Sequence, residues 1–282
     1  MISHQGYQVV PDEVLSRFLR QWRITSNSLR HAHGAIRAVS LHAVPMLDID
    51  GLPILVHDPS HRDTPEKALS EAEEWLLRAA LVDMLIGMNE SLIEGCRIMH
   101  IYTAAKESLV QPVASTERFA ANVDAKEEKL MTMHLPGLVK ELEATVGAPM
   151  HYSDEVLSIN QLRRCIVHRN GFVTRKDLTS EAETVLRLKY LQQKVTAREN
   201  GVVHDVDRAF KARSPLITEL SAEPVRAHID FKLGVPILLS TDLLNDAAYT
   251  CIQFLQALRL RIYTAIGVEP KEPWPLITLT KG

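Results

Sequence analysis

Arg163 and His168 are the residues of this chain whose types and spacing best suit chemistry, and they stand five positions apart. A histidine transfers protons near neutral pH, and an arginine guanidinium stabilises negative charge that builds on phosphoryl oxygens. Such a pair is sufficient for cleaving RNA without a metal. The imidazole moves a proton to or from the attacking 2′-hydroxyl or the leaving 5′-oxygen, and the guanidinium holds the phosphorane.

Arg163 falls within an apolar stripe when its segment is placed on a helix at about 100° per residue. A guanidinium directed into an apolar face is costly unless it is paired or opens onto a polar cavity. Arg163 therefore either has a buried acidic partner or lines a site, and Asn89 and Glu90 on an earlier helix are the nearest candidates for its partner. Arg164 and His168 share a different face of the helix. The apolar stripe consists of Val156, Ile159, Leu162, Ile166 and Val167.

Basic side chains are concentrated around this pair, although the whole chain has 32 Lys and Arg against 35 Asp and Glu. The planar fork of arginine suits phosphate, so Arg164 and Arg169 are predicted phosphate contacts, with an ordinary solvated face as the alternative. Asn170 is predicted to add a polar contact beside His168. Residues 156–176 contain no acidic residue and five basic ones, namely Arg163, Arg164, Arg169, Arg175 and Lys176.

Helical patterns dominate the rest of the sequence. Thr64 and Pro65 provide the start of a long helix, because a threonine caps well and a proline suits the first helical position. Its pattern continues towards Ala105, and Gly87 and Gly95 within it predict a kink or a break. Other helices are predicted from Pro11, over residues 115–132 and 136–146, from a cap at Ser153 to Arg169, and from a cap at Ser240 or Thr241 to Gly267.

Small β additions are predicted in three places. The Asn200-Gly201 turn signal with β-branched neighbours favours a hairpin over residues 185–206, although a helix fits this segment about equally well. Residues 231–239 and 46–56 are predicted to be extended. The predicted fold class is therefore mainly α, with small β-hairpin and strand additions.

Composition excludes several classes of protein. The chain has 282 residues, of which 46% are hydrophobic, so it has ample core material and is neither disordered nor fibrous. Its start lacks the pattern of a signal peptide, and charges interrupt every long apolar stretch, so no membrane segment is expected. Three widely spaced cysteines indicate reduced thiols in the cytoplasm. The histidine pairs His31/His33 and His57/His61 lack the context of metal ligands, and we predict neither a metal nor another cofactor.

The run Arg163-x4-His168, followed by Arg-Asn-Gly, resembles the Arg-x4–6-His motif of HEPN-fold proteins. Residues 78–92 resemble the long early helix of those domains, and residues 231–240 with the amphipathic helix after them resemble their C-terminal end. The resemblance covers about residues 64–268. It divides the chain into an N-terminal helical extension with a short β segment (1–63), a HEPN-like helical domain (64–268) and a tail (269–282).

The resemblance implies a helical bundle that forms a homodimer in which two motifs face each other. It implies a metal-independent endoribonuclease with Arg163 and His168 as the catalytic pair. Single-stranded RNA is the expected substrate, because in-line attack by the 2′-hydroxyl needs a flexible backbone. Many such proteins are toxins or defence effectors, so a cognate antitoxin or regulatory protein is expected. The family commonly has Asn, Asp or His directly after its arginine, whereas this chain has Arg164. A non-catalytic module that binds a nucleotide or a partner protein is therefore the second hypothesis.

Overall fold

Six α-helices and two small antiparallel sheets are present in the part of the chain that is described by a computed structural model, namely residues 2–4, 7–38, 65–110, 116–178, 183–199, 202–206 and 217–270. The predicted fold class, mainly α with small β additions, is confirmed. The helices are α1 (Glu13–Ala38), α2 (Pro65–Val110), α3 (Thr116–Met131), α4 (Leu135–Val146), α5 (Ser153–Arg169) and α6 (Thr241–Ile266).

The long helix α2 is the centre of the fold and packs against each of the other five helices. It runs for 46 residues without a break at Gly87 or Gly95, so a break at these glycines, one of the two predicted alternatives, does not occur. A Cβ atom at Gly87 would lie 2.9 Å from the Cβ atom of Gln21, and one at Gly95 would lie 3.1 Å from a methyl group of Leu258. These glycines therefore let α1 and α6 approach α2 closely.

The ends of the helices follow their local signals. The hydroxyl of Ser240 accepts a hydrogen bond of 3.1 Å from the backbone N–H of Leu243, so Ser240 and not Thr241 is the cap of α6. Asn170 ends α5 with a left-handed backbone (φ 50°), and Gly267 ends α6 in the same conformation (φ 70°). Ser153 is the first residue of α5 rather than its cap.

Helix α1 shares the core of the helices that follow it. Val14, Leu15 and Phe18 are almost fully buried among residues of α2 and α6. The buried guanidinium of Arg259 on α6 donates to the carboxylate of Asp12, just before α1. The predicted extension therefore contributes apolar residues to the main core. The extended segment predicted at residues 46–56 lies outside the described residues.

The main sheet consists of three antiparallel strands, with β3 (Val185–Glu199) between β4 (Val202–Val206) and β5 (Ile217–Lys232). Glu199 pairs with Val202, so the hairpin around Asn200-Gly201 is confirmed. Strand β5 begins well before the extended run predicted at residues 231–239. Strands β1 (Ile2–His4) and β2 (Tyr7–Val9) pair as a separate two-stranded sheet.

Helices α5 and α6 cover one half of β3, where Leu186 and Leu188 join the core. Leu191 donates its backbone N–H to the hydroxyl of Thr250 on α6, at 2.8 Å, which ties the strand to the bundle. Helix α5 thus packs against the sheet and also contacts α2 and α4. Among the described residues, no helix combines the length and the apolar character that crossing a bilayer requires.

Candidate active site

A cleft of about 630 Å³ opens between α2, the start of α4 and the second half of α5. Its volume lies within the range of roughly 300–1,000 Å³ that is typical of sites for small molecules. Apolar side chains from α2 and α4 form part of its wall, and polar side chains from all three helices or their ends form the rest. The lining residues are Leu85, Ile86, Asn89, Glu90, Met133, His134, Leu135, Pro136, Asn160, Arg163, Arg164 and His168.

Helix α5 brings Arg163, Arg164 and His168 to this one cleft. Arg163 is half-buried, whereas Arg164 and His168 are exposed, so the side chains reach the cleft from its inner and outer parts. The helical wheel places Arg163 on a different face of α5 from Arg164 and His168. The cleft lies at the boundary of these two faces, so residues of both line it. Val167, expected in the apolar stripe, is 45% exposed, whereas its neighbour Ile166 is buried.

Arg163 has no carboxylate partner in the described part of the chain. No hydrogen bond or ion pair joins its guanidinium to any described residue, including Asn89 and Glu90, which line the same cleft. The sequence left two alternatives for this side chain, a buried acidic partner or a position in a site. The geometry favours the second, because the cleft supplies the polar surroundings that an unpaired guanidinium requires.

Two polar residues that line the cleft were not predicted from the sequence. Asn160 is only 9% exposed, and its side-chain amide forms no hydrogen bond with the described residues. A polar residue three positions before Arg163, on the inner side of the helix, is the signal that could have revealed it. His134 comes from the segment before α4, and no spacing along the chain relates it to α5.

Arg169 lies outside the residues that line the cleft. Its guanidinium forms an ion pair with the carboxylate of Asp177, and that carboxylate also accepts hydrogen bonds from the backbone N–H and hydroxyl of Thr174 (2.8 and 2.9 Å). The backbone carbonyl of Asp177 accepts a further hydrogen bond, of 2.6 Å, from Gln161. Arg169 thus anchors the turn that follows α5, and the structure does not bring it to the predicted phosphate site.

Asn170 also lies outside the cleft lining and has a structural contact of its own. Its side-chain oxygen accepts a hydrogen bond of 3.2 Å from the guanidinium of Arg78 on α2. A Cβ atom on the next residue, Gly171, would lie 2.8 Å from the same guanidinium, and the φ of Gly171 is +82°. Arg78 therefore fastens the end of α5, which carries His168, to the central helix.

The ionised carboxylate of Asp177 is expected to stabilise the fold in a pH-dependent way. Burial alone would raise the pKa of Asp177, but hydrogen bonds from Thr174 and Cys165 and the charge of Arg169 outweigh it and hold the pKa below the ordinary 3.8. A carboxyl whose pKa is lower in the folded protein than in the unfolded chain stabilises the fold at pH values above its unfolded pKa. The contribution is lost as the pH falls through the folded pKa.

Asp177→Asn is therefore expected to lower the free energy of unfolding by roughly 1–3 kcal/mol at pH 7, because the hydrogen bonds to the charged carboxylate are lost. The difference from the original protein shrinks as the pH falls below about 4, where that protein loses the same charge. Urea unfolding at a series of pH values measures the loss of stability at pH 7 and its decrease in acid. An equal difference at pH 7 and at the acid end would contradict this account of Asp177.

Comparison with known proteins assigns this chain to no family. No family model matches it, and neither does any curated protein or solved structure. The resemblance to HEPN-fold proteins therefore rests on the motif at Arg163 and His168 and on the patterns around it. The chemistry of the cleft is therefore the basis for assigning a function.

The three cysteines contribute no reactive thiol. Cys96, Cys165 and Cys251 are buried and unpaired, and burial raises the pKa of each to about 12. Cys165 is fully buried on α5, as expected of a core thiol. His33 contacts Glu73 at 2.9 Å, and His57 and His61 lie outside the described residues. Within the described ranges, no group of three His, Cys, Asp or Glu side chains could hold a metal ion.

Proposed function

We propose that this protein is a metal-independent endoribonuclease of the HEPN type that cleaves single-stranded RNA in the cleft between α2, α4 and α5. The observation that carries the proposal is the convergence of Arg163, Arg164 and His168 on one cleft, in which Arg163 has no partner among the described residues. An unpaired guanidinium beside an imidazole supplies charge stabilisation and proton transfer together.

In the proposed reaction, the 2′-oxygen of a ribose attacks the adjacent phosphorus atom. A P–O bond forms to the 2′-oxygen and the P–O bond to the 5′-oxygen breaks, which leaves a 2′,3′-cyclic phosphate and a 5′-hydroxyl. His168 transfers a proton to or from one of these oxygens, and Arg163 stabilises the phosphorane. The attack must occur in line with the leaving oxygen, so the flexible backbone of single-stranded RNA suits it best.

The remaining polar residues of the cleft suit binding of the substrate. Arg164 is exposed at the edge of the cleft, where its guanidinium can hold a neighbouring phosphate. Asn89 and Asn160 offer amide groups that match the hydrogen-bonding edges of an unpaired base or the ribose hydroxyls. Glu90 adds one negative charge to an otherwise basic lining, and a carboxylate can accept hydrogen bonds from base amino groups.

The proposal includes a cytoplasmic homodimer in which two motifs face each other, with the resemblance to HEPN proteins as its support. A cognate antitoxin or regulatory protein belongs to the same proposal. Light scattering of the purified protein at micromolar concentration is expected to give a mass near twice 31.7 kDa. A monomer at that concentration would contradict the composite site.

The decisive test of the activity is incubation of the purified protein with end-labelled single-stranded RNA in the presence of excess EDTA. We expect cleavage to continue at its full rate, because the histidine and arginine side chains need no metal. The products are expected to carry a cyclic phosphate and a 5′-hydroxyl. Intact RNA at high protein concentration, with the protein folded, would refute the nuclease and favour the non-catalytic module.

A further inference from the structure

We infer that His134 is a second catalytic residue of the same cleft, which shares the two proton transfers with His168. The inference rests on the proposed ribonuclease activity. It assigns to one protomer a histidine pair that the spacing along the chain does not reveal. His134 immediately precedes α4, whereas His168 lies in the last turn of α5, and both line the cleft that holds Arg163.

The proposed reaction requires two proton transfers. The 2′-hydroxyl loses its proton as its oxygen bonds to phosphorus, and the 5′-oxygen gains a proton as its bond to phosphorus breaks. A group that accepts the first proton and a second group that donates the other allow both transfers to occur in one step. No oxidant, reductant or further reactant is needed.

Few residues of the cleft can serve in this way. Arginine stays protonated in proteins and therefore donates hydrogen bonds without transferring a proton, which excludes Arg163 and Arg164. Asparagine does not titrate. Among the described residues, Glu90 carries the only carboxylate of the cleft lining, and a carboxylate accepts hydrogen bonds without offering a proton to the leaving oxygen. Histidine serves in either direction near neutral pH, and the cleft contains two histidines.

The backbone at His134 is fixed while its ring is free. Its φ of −82° and ψ of 158° are extended, its carbonyl accepts a 3.1 Å hydrogen bond from the N–H of Leu138, and Pro136 follows in the first turn of α4. The side chain is exposed and forms no hydrogen bond with any described residue. Both ring nitrogens are thus open to a ligand, on a support that is held in place.

The test uses two RNA substrates that differ at the leaving atom. One has the ordinary 5′-oxygen, and the other has sulfur in that position. A sulfur leaving group departs without being protonated, so only the loss of the proton donor is rescued by it. The original protein, His134→Ala and His168→Ala are compared on both substrates in EDTA. His151→Ala, which removes an exposed histidine outside the cleft, is the matched control.

We expect His134→Ala and His168→Ala each to slow cleavage of the ordinary RNA by about 10²–10⁴-fold, with His151→Ala unchanged. On the sulfur substrate, one of the two slow variants is expected to recover to within about tenfold of the original protein and the other to stay slow. The variant that recovers identifies the proton donor. Both histidines are exposed and support no core contact, so each variant is expected to stay folded. Circular dichroism checks this.

Other results separate this inference from the activity on which it rests. If His134→Ala cleaves ordinary RNA as fast as the original protein while His168→Ala does not, the inference is overturned and the nuclease stands. Recovery of both slow variants on the sulfur substrate, or of neither, overturns the shared proton transfer. If the original protein cleaves neither substrate, the nuclease is refuted and the role of His134 with it.

Discussion

His168→Ala is expected to lower the rate of RNA cleavage by about 10²–10⁴-fold, the usual range for the loss of a general acid or base. The ring lies in the cleft with Arg163 and forms no hydrogen bond with the described residues, so its removal eliminates proton transfer without breaking a structural contact. The free energy of unfolding is expected to stay within about 0.5 kcal/mol, as for most exposed positions.

Single-turnover cleavage of labelled RNA in EDTA measures the first effect, and urea unfolding measures the second. His151→Ala serves as the control, because His151 is also exposed but lies outside the cleft. A His168→Ala rate within threefold of the original would remove the imidazole from the mechanism. A slow variant that is also unfolded would leave Arg163 as the sharper probe.

Arg163→Ala is expected to reduce kcat by about 10²–10³-fold with little change in KM, because the guanidinium acts on charge that develops in the transition state. Arg164→Ala is expected instead to raise KM by about tenfold, since an exposed cation at the edge of the cleft contributes to binding through phosphate. The two arginines are adjacent and both substitutions remove the same charge, so loss of charge alone does not account for a difference between the two variants.

Steady-state kinetics at several salt concentrations distinguish the two effects, and the salt dependence is expected to fall in Arg164→Ala. Arg23→Ala, which removes an exposed arginine of α1, controls for the loss of overall charge. If only Arg164→Ala abolishes cleavage, Arg163 is not the catalytic arginine and the motif has been placed on the wrong residue.

Arg169 and Asn170 form a support for the cleft rather than part of its lining. Arg169 forms an ion pair with Asp177, and Asn170 accepts a hydrogen bond from Arg78 on α2. These contacts fix the last turn of α5, where His168 lies. The predicted patch of five basic residues is thus divided by the fold, because Arg169 pairs with the carboxylate of Asp177 and Arg175 donates to the backbone carbonyl of Glu183 at 3.1 Å.

Elements with strong local signals were predictable. The cap at Ser240, the left-handed end at Gly267 and the turn at Asn200-Gly201 depend on a few neighbouring residues, and the structure confirms the elements that they predict. Strand β5 was missed over most of its length, although apolar and polar side chains alternate from Val225 to Lys232, which is a strand signal. Its residues between 221 and 230 are mainly exposed, so pairing with β3 rather than burial in the core holds this part of the strand.

The sequence by itself determined that α5 carries Arg163, Arg164 and His168 within two helical turns, because helical hydrogen bonds and capping act between near neighbours. Tertiary structure alone decided that Arg163 faces a cleft instead of a carboxylate. It likewise brought His134 to α5 and turned Gly87 into a contact point for α1. Such contacts join segments far apart in the chain, and packing of the whole core selects them, so no local spacing encodes them.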